Sequence, residues 1–252
     1  MIDLRNKTVL VTGSSRGIGR AILETCHAAG AGVVLHYGRN AGAADEVTSR
    51  LGAERCLAVQ GELSELADVK RLWQTAVDWT GRVDVLVNNA SIRMDLDIEA
   101  PDEEWDRAWR KVLDVNLIAP AHLARMAVRH FQRRGGGAII NIASRPAFRG
   151  DTATCPHDGA AKGGLVSLTR QIARHYGGDN VKAFVVAPGV IETDQATEFF
   201  EASGRAAWLE EIPAGRFGRP SDIAGIVAFL SSGLADYATG STIDVNGASY
   251  VH

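Results

Sequence analysis

The chain has 252 residues, a net charge of −3, and 46% hydrophobic and 23% charged residues. These proportions are ordinary for a globular protein, so they exclude a chain that is disordered or a coiled coil throughout. The charge balance lacks the basic excess that binds a phosphate backbone, and we therefore expect no nucleic-acid partner.

Short runs of β-branched residues alternate with helical stretches along the chain. Strands are predicted at 7–12, 32–37, 56–60, 83–88, 138–142, 181–186 and 242–245. Helices are predicted at 17–29, 41–51, 64–79 and 157–176, and a longer helical region at 101–134 has a joint near 116–120. Nearly continuous apolar strands separated by helices indicate a parallel sheet covered on both faces. The pattern predicts a doubly wound α/β fold of the Rossmann type with a seven-stranded parallel sheet.

A single domain over 1–252 is predicted, because no linker or internal repeat interrupts this alternation. The least regular segment, 191–216, places Phe199, Phe200 and Trp208 among charged residues. This composition favours a helical lid over a substrate site, with an ordinary surface insert as the alternative. No apolar run approaches the ~20 residues that cross a bilayer, and no signal peptide is visible, so we expect a cytoplasmic protein with no membrane partner.

A glycine-rich turn, T-G-S-S-R-G-I-G at 12–19, follows the first predicted strand and opens the first predicted helix. Glycines allow a tight turn and a close approach of the backbone to a diphosphate, and the helix N-terminus supplies unpaired N–H groups. The turn is not a Walker motif, because no Gly-Lys-Ser/Thr follows. It predicts a dinucleotide site formed by a set of turn residues, namely Gly13, Ser15, Arg16, Gly17, Ile18 and Gly19.

The sequence resembles the short-chain dehydrogenase/reductase family in segments that occur in family order over nearly the whole chain. The glycine turn resembles the family's TGxxxGxG loop, and N-N-A-S at 88–91 resembles its NNAG with serine for glycine. Further matches are Asn116 in V-N-L, Ser144 after I-N-I-A, Lys162 in A-A-K-G-G, P-G-V-I-E-T at 188–193, Y-A-T-G at 237–240 and D-V-N-G at 244–247.

The resemblance implies an oxidoreductase that transfers a hydride between a nicotinamide cofactor and a carbonyl or secondary alcohol. It implies that Ser144 orients the substrate oxygen, that Lys162 holds the nicotinamide ribose, and that Asn116 supports a proton relay. It also implies a homotetramer or homodimer formed through the long helices. The remaining residues expected near the cofactor are Glu62, Leu63, Asn89, Ala90, Pro188, Gly189, Ile191 and Thr193.

The cofactor is predicted to be NADP(H). A fold of this type that prefers NAD usually has an acidic residue after the second strand, whereas this strand is followed by Gly38-Arg39-Asn40. Arg16 and Arg39 are suited to clamp a 2′-phosphate, because a guanidinium is planar, charged and able to form paired hydrogen bonds. If both arginines are merely solvated, NAD(H) is the alternative.

The family's catalytic tyrosine is replaced by Asp158, four residues before Lys162. None of the four tyrosines lies near this segment in the sequence. Three hypotheses follow. Another side chain is the acid or base, with His157 favoured by its titration range over the shorter Asp158. Alternatively, Asp158 pairs with Lys162 in a protein that binds cofactor without reducing anything. In the third hypothesis, Ser144, Lys162 and water suffice for a slow or specialised reaction.

Three arginines follow predicted strand ends, Arg93, Arg145 and Arg149. Because substrates of this fold lie outside the carboxyl ends of the strands, these arginines suggest an anionic substrate, with plain surface exposure as the alternative. Cys155 is expected nearby. The three cysteines and seven histidines show no metal-ligand spacing, so no metal site is predicted.

Overall fold

The fold is seen in a computed structural model that describes residues 2–150, 152–193 and 204–251. A seven-stranded sheet has the order β3-β2-β1-β4-β5-β6-β7, and every neighbouring pair is parallel. The strands are β1 Thr8–Val11, β2 Gly32–Tyr37, β3 Cys56–Gln60, β4 Val85–Asn88, β5 Gly137–Ile142, β6 Val181–Pro188 and β7 Thr242–Val245. The predicted doubly wound α/β fold is therefore confirmed.

Helices cover both faces of the sheet, and we number those of the described residues in chain order. They are α1 Gly17–Ala28, α2 Ala41–Leu51, α3 Leu66–Thr80, α4 Asp102–Leu113, α5 Ala119–Arg134, α6 Pro146–Arg149, α7 Pro156–Tyr176, α8 Arg205–Glu210 and α9 Pro220–Ser232. The predicted joint in the long helical region is a π-helical segment, Asp114–Ile118. Such segments inside helices occur frequently at functional sites, and this one contains Asn116.

Two apolar cores lie on opposite faces of the sheet, because successive strand side chains point to opposite sides. Val9 and Val11 belong to a cluster that also contains Ile22 of α1 and Val227 of α9. Leu10, between those valines, belongs to a second cluster with helices α3, α5 and α7. Burial on both faces explains why the strand sequences are continuously apolar rather than alternating.

The strand order reverses between β1 and β4, which are hydrogen-bonded neighbours. Ligands of open α/β sheets bind beyond the carboxyl ends of the strands at such a switch point. The glycine turn after β1 and the polar segment after β4 both begin there. The fold therefore places the predicted dinucleotide site at this edge.

The predicted lid segment is only partly described, since Phe199 and Phe200 lie outside the described residues. Within the described part, Ile212 and Phe217 form a small apolar cluster with Val190, and Trp208 packs against it. None of the helices that the structure describes combines the length and apolarity needed to cross a membrane.

Candidate active site

The glycine turn has a backbone that only glycine accommodates at several points. Gly13 and Gly17 have φ angles of +64° and +55°, in the left-handed region that favours glycine. At Gly19 an added Cβ would collide with the Gly13 carbonyl oxygen and lie 2.5 Å from Asn89 Nδ2. The turn is therefore packed against the segment that follows β4, with no room for a side chain between them.

The amides of the turn fall into two groups. The Gly13 amide donates to His36 Nδ1 at 3.0 Å, and the Ser14 amide donates to the His36 carbonyl at 2.9 Å. The next four amides, from Ser15 to Ile18, take part in none of the hydrogen bonds recorded for the described residues. They stand at the N-terminus of α1, where unpaired donors and the helix dipole favour a phosphate group. The turn thus fits a diphosphate.

The segment after β4 braces this turn through Asn89. Its Nδ2 donates to the carbonyl oxygens of Thr12 and Gly13 at 2.9 and 3.1 Å. The Thr12 hydroxyl accepts the amides of Asn89 and Ala90, both at 3.0 Å. Asn89 and Ala90 therefore lie beside the glycine turn.

The P-G-V-I-E-T segment after β6 reaches the same place. The methyl group of Thr193 lies 3.5 Å from the position that a Cβ on Gly17 would occupy. Earlier in the segment, Gly189 follows Pro188 at the end of β6 and packs so closely on Asn246 that an added Cβ would lie 2.7 Å from its Cα. Ile191 forms an isolated parallel bridge with Gly218. The structure therefore brings three loops, all predicted from sequence, to one point.

Beyond β2 and β3 lie the residues proposed for the adenosine end. The Arg39 side chain is 89% exposed and its guanidinium lies 3.9 Å from Glu62 Oε2. Burial opposes ionisation of Glu62, but the Ser64 amide and Lys111 outweigh it and lower the pKa of that carboxyl. Leu63 is buried in the core between β3 and α3, so its side chain is a core residue and only its backbone remains for a cofactor contact.

Lys162 lies beside the end of β5, the strand that leads into Ser144. Its Nζ donates to the Ile142 carbonyl at 3.0 Å, two residues before Ser144. Ser144 is half-buried just after the strand. Burial lowers the pKa of Lys162, and the nearby Asp158 carboxyl partly offsets this by raising it. The ammonium is consequently a stronger acid than an exposed lysine.

Asn116 connects the loop after β4 to helix α7. Its Oδ1 accepts the Ile92 amide at 2.9 Å, and its Nδ2 donates to the Ile92 carbonyl at 2.8 Å. The same Nδ2 donates to Asp158 Oδ1, also at 2.8 Å. Asp158 therefore binds Asn116 by a hydrogen bond and influences Lys162 through charge, which modifies the predicted simple pair of Asp158 with Lys162.

His157, the side chain favoured from sequence as acid or base, does not occupy an exposed loop. It is completely buried in the first turn of α7, and its ring lies 5.9 Å from that of Trp109 on α4. Neither ring nitrogen has a hydrogen-bond partner among the described residues. Residues 156–158 form the first turn of the helix, so His157 points along a different face from Asp158.

One tyrosine contacts the segment that follows Ser144, although the two are far apart in the sequence. Tyr250, near the end of the chain, stacks on Phe148 of α6 with ring centroids 6.1 Å apart. Phe148 is four residues after Ser144. Sequence spacing gave no signal of this approach, since contact between residues so far apart depends on the fold.

The arginines after the strand ends have partners in the structure. Arg145 is buried, and its guanidinium lies 3.3 Å from the carboxylate of Glu211, just past α8. Arg149 lies 3.5 Å from the same carboxylate. Arg93 instead donates to the Thr152 hydroxyl at 2.9 Å. Two guanidinium groups thus converge on Glu211 in the segment that follows Ser144.

Cys155 lies near Arg93, whose charge acts on its thiol. Its buried thiol donates toward the Met94 carbonyl, and burial raises its pKa. It therefore has the character of a packed thiol rather than a reactive one.

Comparisons with known proteins extend over nearly the whole chain. A family model described as an enoyl-(acyl carrier protein) reductase matches residues 13–248. The 3-oxoacyl-(acyl-carrier-protein) reductases of Vibrio harveyi and Escherichia coli K12 are each 36% identical over 251 residues, which cover 99% of this chain and 100% of each relative.

Two solved structures are similar in fold as well. One, from Sinorhizobium meliloti 1021 and described as a short-chain alcohol dehydrogenase, has a TM-score of 0.90 and 30% identity, and covers 98% of both chains. The other, described as a 2-deoxy-D-gluconate 3-dehydrogenase from Agrobacterium tumefaciens with bound NADP, has a TM-score of 0.86 and 33% identity. The similarity between the two covers 98% of this chain and 97% of that structure's chain.

Proposed function

The chain belongs to the short-chain dehydrogenase/reductase family, and we propose that it is an oxidoreductase acting on the carbonyl or secondary alcohol group of a small molecule with NADP(H). The observation that supports this most directly is the convergence of the glycine turn, Asn89 and Thr193 at the sheet's switch point. When bound, NADP(H) supplies or accepts the hydride.

The amides from Ser15 to Ile18 would hold the diphosphate, because they lie at a helix N-terminus and have no recorded partner among the described residues. Arg16 and Arg39 would hold the 2′-phosphate. Arg16 is exposed at the start of α1, and the exposed Arg39 lies 3.9 Å from Glu62. Since Glu62 follows β3 rather than β2, it does not occupy the position at which an acidic residue selects NAD.

The residues proposed for the chemistry form a connected series. Asn116 holds Asp158, the charge of Asp158 acts on Lys162, and Lys162 binds the backbone just before Ser144. The Ser144 hydroxyl would donate a hydrogen bond to the substrate oxygen. This series supports the third hypothesis from the sequence, in which Ser144, Lys162 and water suffice without a phenol.

In that scheme the proton taken up by the reduced oxygen comes from the Lys162 ammonium through the Ser144 hydroxyl or a water molecule. Burial favours this role, because it lowers the pKa of Lys162 and a general acid works best when its pKa approaches the working pH. Asn116 and Asp158 would position Lys162 and limit the fall of its pKa.

We further propose that the substrate is anionic. The guanidinium groups of Arg145 and Arg149 both lie within 3.5 Å of the Glu211 carboxylate, in the segment that directly follows Ser144. A carboxylate or phosphate on the substrate would form charge-assisted hydrogen bonds with such groups. The helices α5 and α7 are the proposed contacts of a homotetramer or homodimer, which sedimentation would test.

The test is the steady-state oxidation of NADPH over a panel of ketones and oxo acids, beside calorimetric titration of NADPH and NADH. Lys162→Arg keeps the charge but releases no proton near neutral pH, so we expect a loss of about 100-fold or more in kcat. Unchanged turnover in this variant would eliminate Lys162 as the proton donor.

Asp158→Asn tests the effect of the Asp158 charge on Lys162 through the pH dependence of the reduction rate. Carbonyl reduction needs protonated Lys162, so its rate declines as the pH rises through the pKa of that group. Because Asp158 raises this pKa, its neutral replacement moves the decline to lower pH. A loss of about 100-fold in His157→Phe or Tyr250→Phe, with Lys162→Arg active, would assign proton transfer to that side chain instead.

One observation favours a second function, namely cofactor binding without turnover. Asp158 replaces the expected tyrosine, and its carboxyl is already occupied by Asn116. Tight NADPH binding, combined with no oxidation of NADPH over the whole carbonyl panel, would favour this second function over the first.

A further inference from the structure

We propose that His36 is a positioning residue for cofactor binding, which fixes the first amide of the glycine turn and thereby sets the following four amides toward the diphosphate. This inference rests on the proposed function, because a turn that binds no dinucleotide would have no use for the arrangement. His36 belongs to none of the sequence motifs discussed above. Its only signal in the sequence is a polar side chain within the apolar run V-V-L-H-Y of β2.

The geometry determines which nitrogen of His36 holds the proton. Nδ1 lies 3.0 Å from the Gly13 amide, and Nε2 lies 3.1 Å from the Gly61 carbonyl oxygen. An amide can only donate, so Nδ1 must be an unprotonated acceptor. In a neutral ring the proton is then on Nε2, which donates to Gly61. Both ring nitrogens are satisfied in one orientation and one tautomer, and the side chain is buried.

Through these bonds His36 connects the ends of three adjacent strands. The glycine turn follows β1, His36 lies in β2, and Gly61 follows β3. The backbone reinforces the connection, since the Ser14 amide donates to the His36 carbonyl and the Gly61 amide donates to the Tyr37 carbonyl. Gly61 directly precedes Glu62, opposite Arg39. His36 therefore sets the spacing between the diphosphate turn and the proposed 2′-phosphate site.

The ring is neutral at ordinary pH for a physical reason. Burial lowers the pKa of His36 to about 4, against the opposing effects of the Gly61 carbonyl and the carboxylates of Glu62 and Asp68, while Arg71 lowers it slightly further. These are the charged groups that face the ring from α3 and from the loop after β3. A protonated ring would present N–H to the Gly13 N–H and lose that bond.

A purely structural histidine would hold the fold together without affecting the cofactor. The turn has other supports, because Asn89 binds the Gly13 carbonyl and Ala90 packs against its Cα. Loss of the hydrogen bond from the Gly13 amide to His36 Nδ1 should therefore leave the protein folded. Only the orientation of the glycine-turn amides should become less fixed. This expectation separates the two roles.

Substitution of His36 by asparagine or glutamine separates the accepting function of Nδ1 from the donating function of Nε2. In His36→Asn the side-chain oxygen replaces Nδ1 and can still accept the Gly13 amide. In His36→Gln the side-chain amide group replaces Nε2 and can still donate to Gly61, while the acceptor for Gly13 is lost. We expect calorimetry with NADPH to give a Kd about tenfold higher for His36→Gln and within about threefold of wild type for His36→Asn. Exchange of the Gly13 amide proton in the cofactor-free protein should quicken only in His36→Gln.

Equal NADPH affinity of His36→Gln and wild type, or equal losses in both variants, would overturn the inference. Nitrogen-15 NMR of cofactor-free wild type at pH 7 tests it without any variant, since a proton on Nδ1 of His36 would also overturn it. Failure of wild type to bind either NADPH or NADH would instead refute the proposed function. The NMR and amide-exchange results would still show whether His36 holds Gly13.

Discussion

Gly19 offers the sharpest test of how the dinucleotide site is built. An alanine Cβ at this position would collide with the Gly13 carbonyl, lie 2.5 Å from Asn89 Nδ2 and lie 2.9 Å from Ser14 Cα. Ordinary contact begins near 3.4 Å, so the backbone at Ser14 would have to move by about 0.5 Å. Neither Gly13 nor Ser14 can relieve the overlap by rotating a side chain, because the obstructing atoms belong to the main chain.

For Gly19→Ala we expect a loss of about 1–3 kcal/mol in the free energy of unfolding, as for other overpacked sites, and at least about a tenfold rise in the Kd of NADPH. Urea denaturation at fixed protein concentration measures the first quantity, and calorimetry measures the second. The displacement separates Asn89 from the turn, so both quantities should change together.

Gly225→Ala is the matched control. Gly225 lies inside α9, and within the described part of the chain no atom outside its own helix turn comes within 4 Å of the position of an added Cβ. Alanine should stabilise the protein there by about 0.5–1 kcal/mol and leave the Kd unchanged. If Gly19→Ala behaved like this control in both assays, the close packing of the glycine turn against Asn89 would be refuted.

Three further predictions concern charge. First, the unfolded chain protonates His36 below its ordinary pKa of 6.5, whereas the folded chain does so only near 4, so stability should fall as the pH drops through this window. The loss approaches about 3 kcal/mol, and urea denaturation at pH 7 and 4.5 should show a smaller loss in His36→Asn than in wild type; an equal loss would contradict the buried neutral ring. Second, Arg39→Ala should raise the Kd of NADPH about tenfold and leave that of NADH unchanged, and a parallel change in both would remove Arg39 from the 2′-phosphate site. Third, Glu211→Gln removes the carboxylate between Arg145 and Arg149, so the KM of a carboxylate substrate should fall several-fold relative to that of its neutral amide; a rise would mean that Glu211 organises the site rather than competing for it.

Local constraints account for the parts of the molecule that were predictable from sequence. The bounds of β2, β3 and β7 are as predicted, because β-branched runs bounded by polar and glycine residues define strands locally. The predicted β1 was too long by one residue at each end, and the predicted β4 began two residues too early. Thr12 leaves the strand to bind Asn89 and Ala90, and Asp84 accepts the Thr8 amide outside the ladder.

The roles of individual side chains were harder to predict from the sequence, and His157 illustrates the reason. Its titration range favoured it as an acid or base, but packing against Trp109 decides its environment. Burial depends on which helix lies opposite, and a single sequence does not specify that neighbour.

The amino-acid sequence alone was enough to establish the alternating α/β pattern, the glycine turn and the family resemblance, because each is composed of short segments that can be recognised one at a time along the chain. The tertiary structure alone decided that Asp158 binds Asn116, that Glu211 faces Arg145, and that His36 holds Gly13. These pairs are joined by the order of strands in the sheet and by the packing of helices over it. Their contacts arise only when distant segments fold against one another, which is why local pattern could not reveal them.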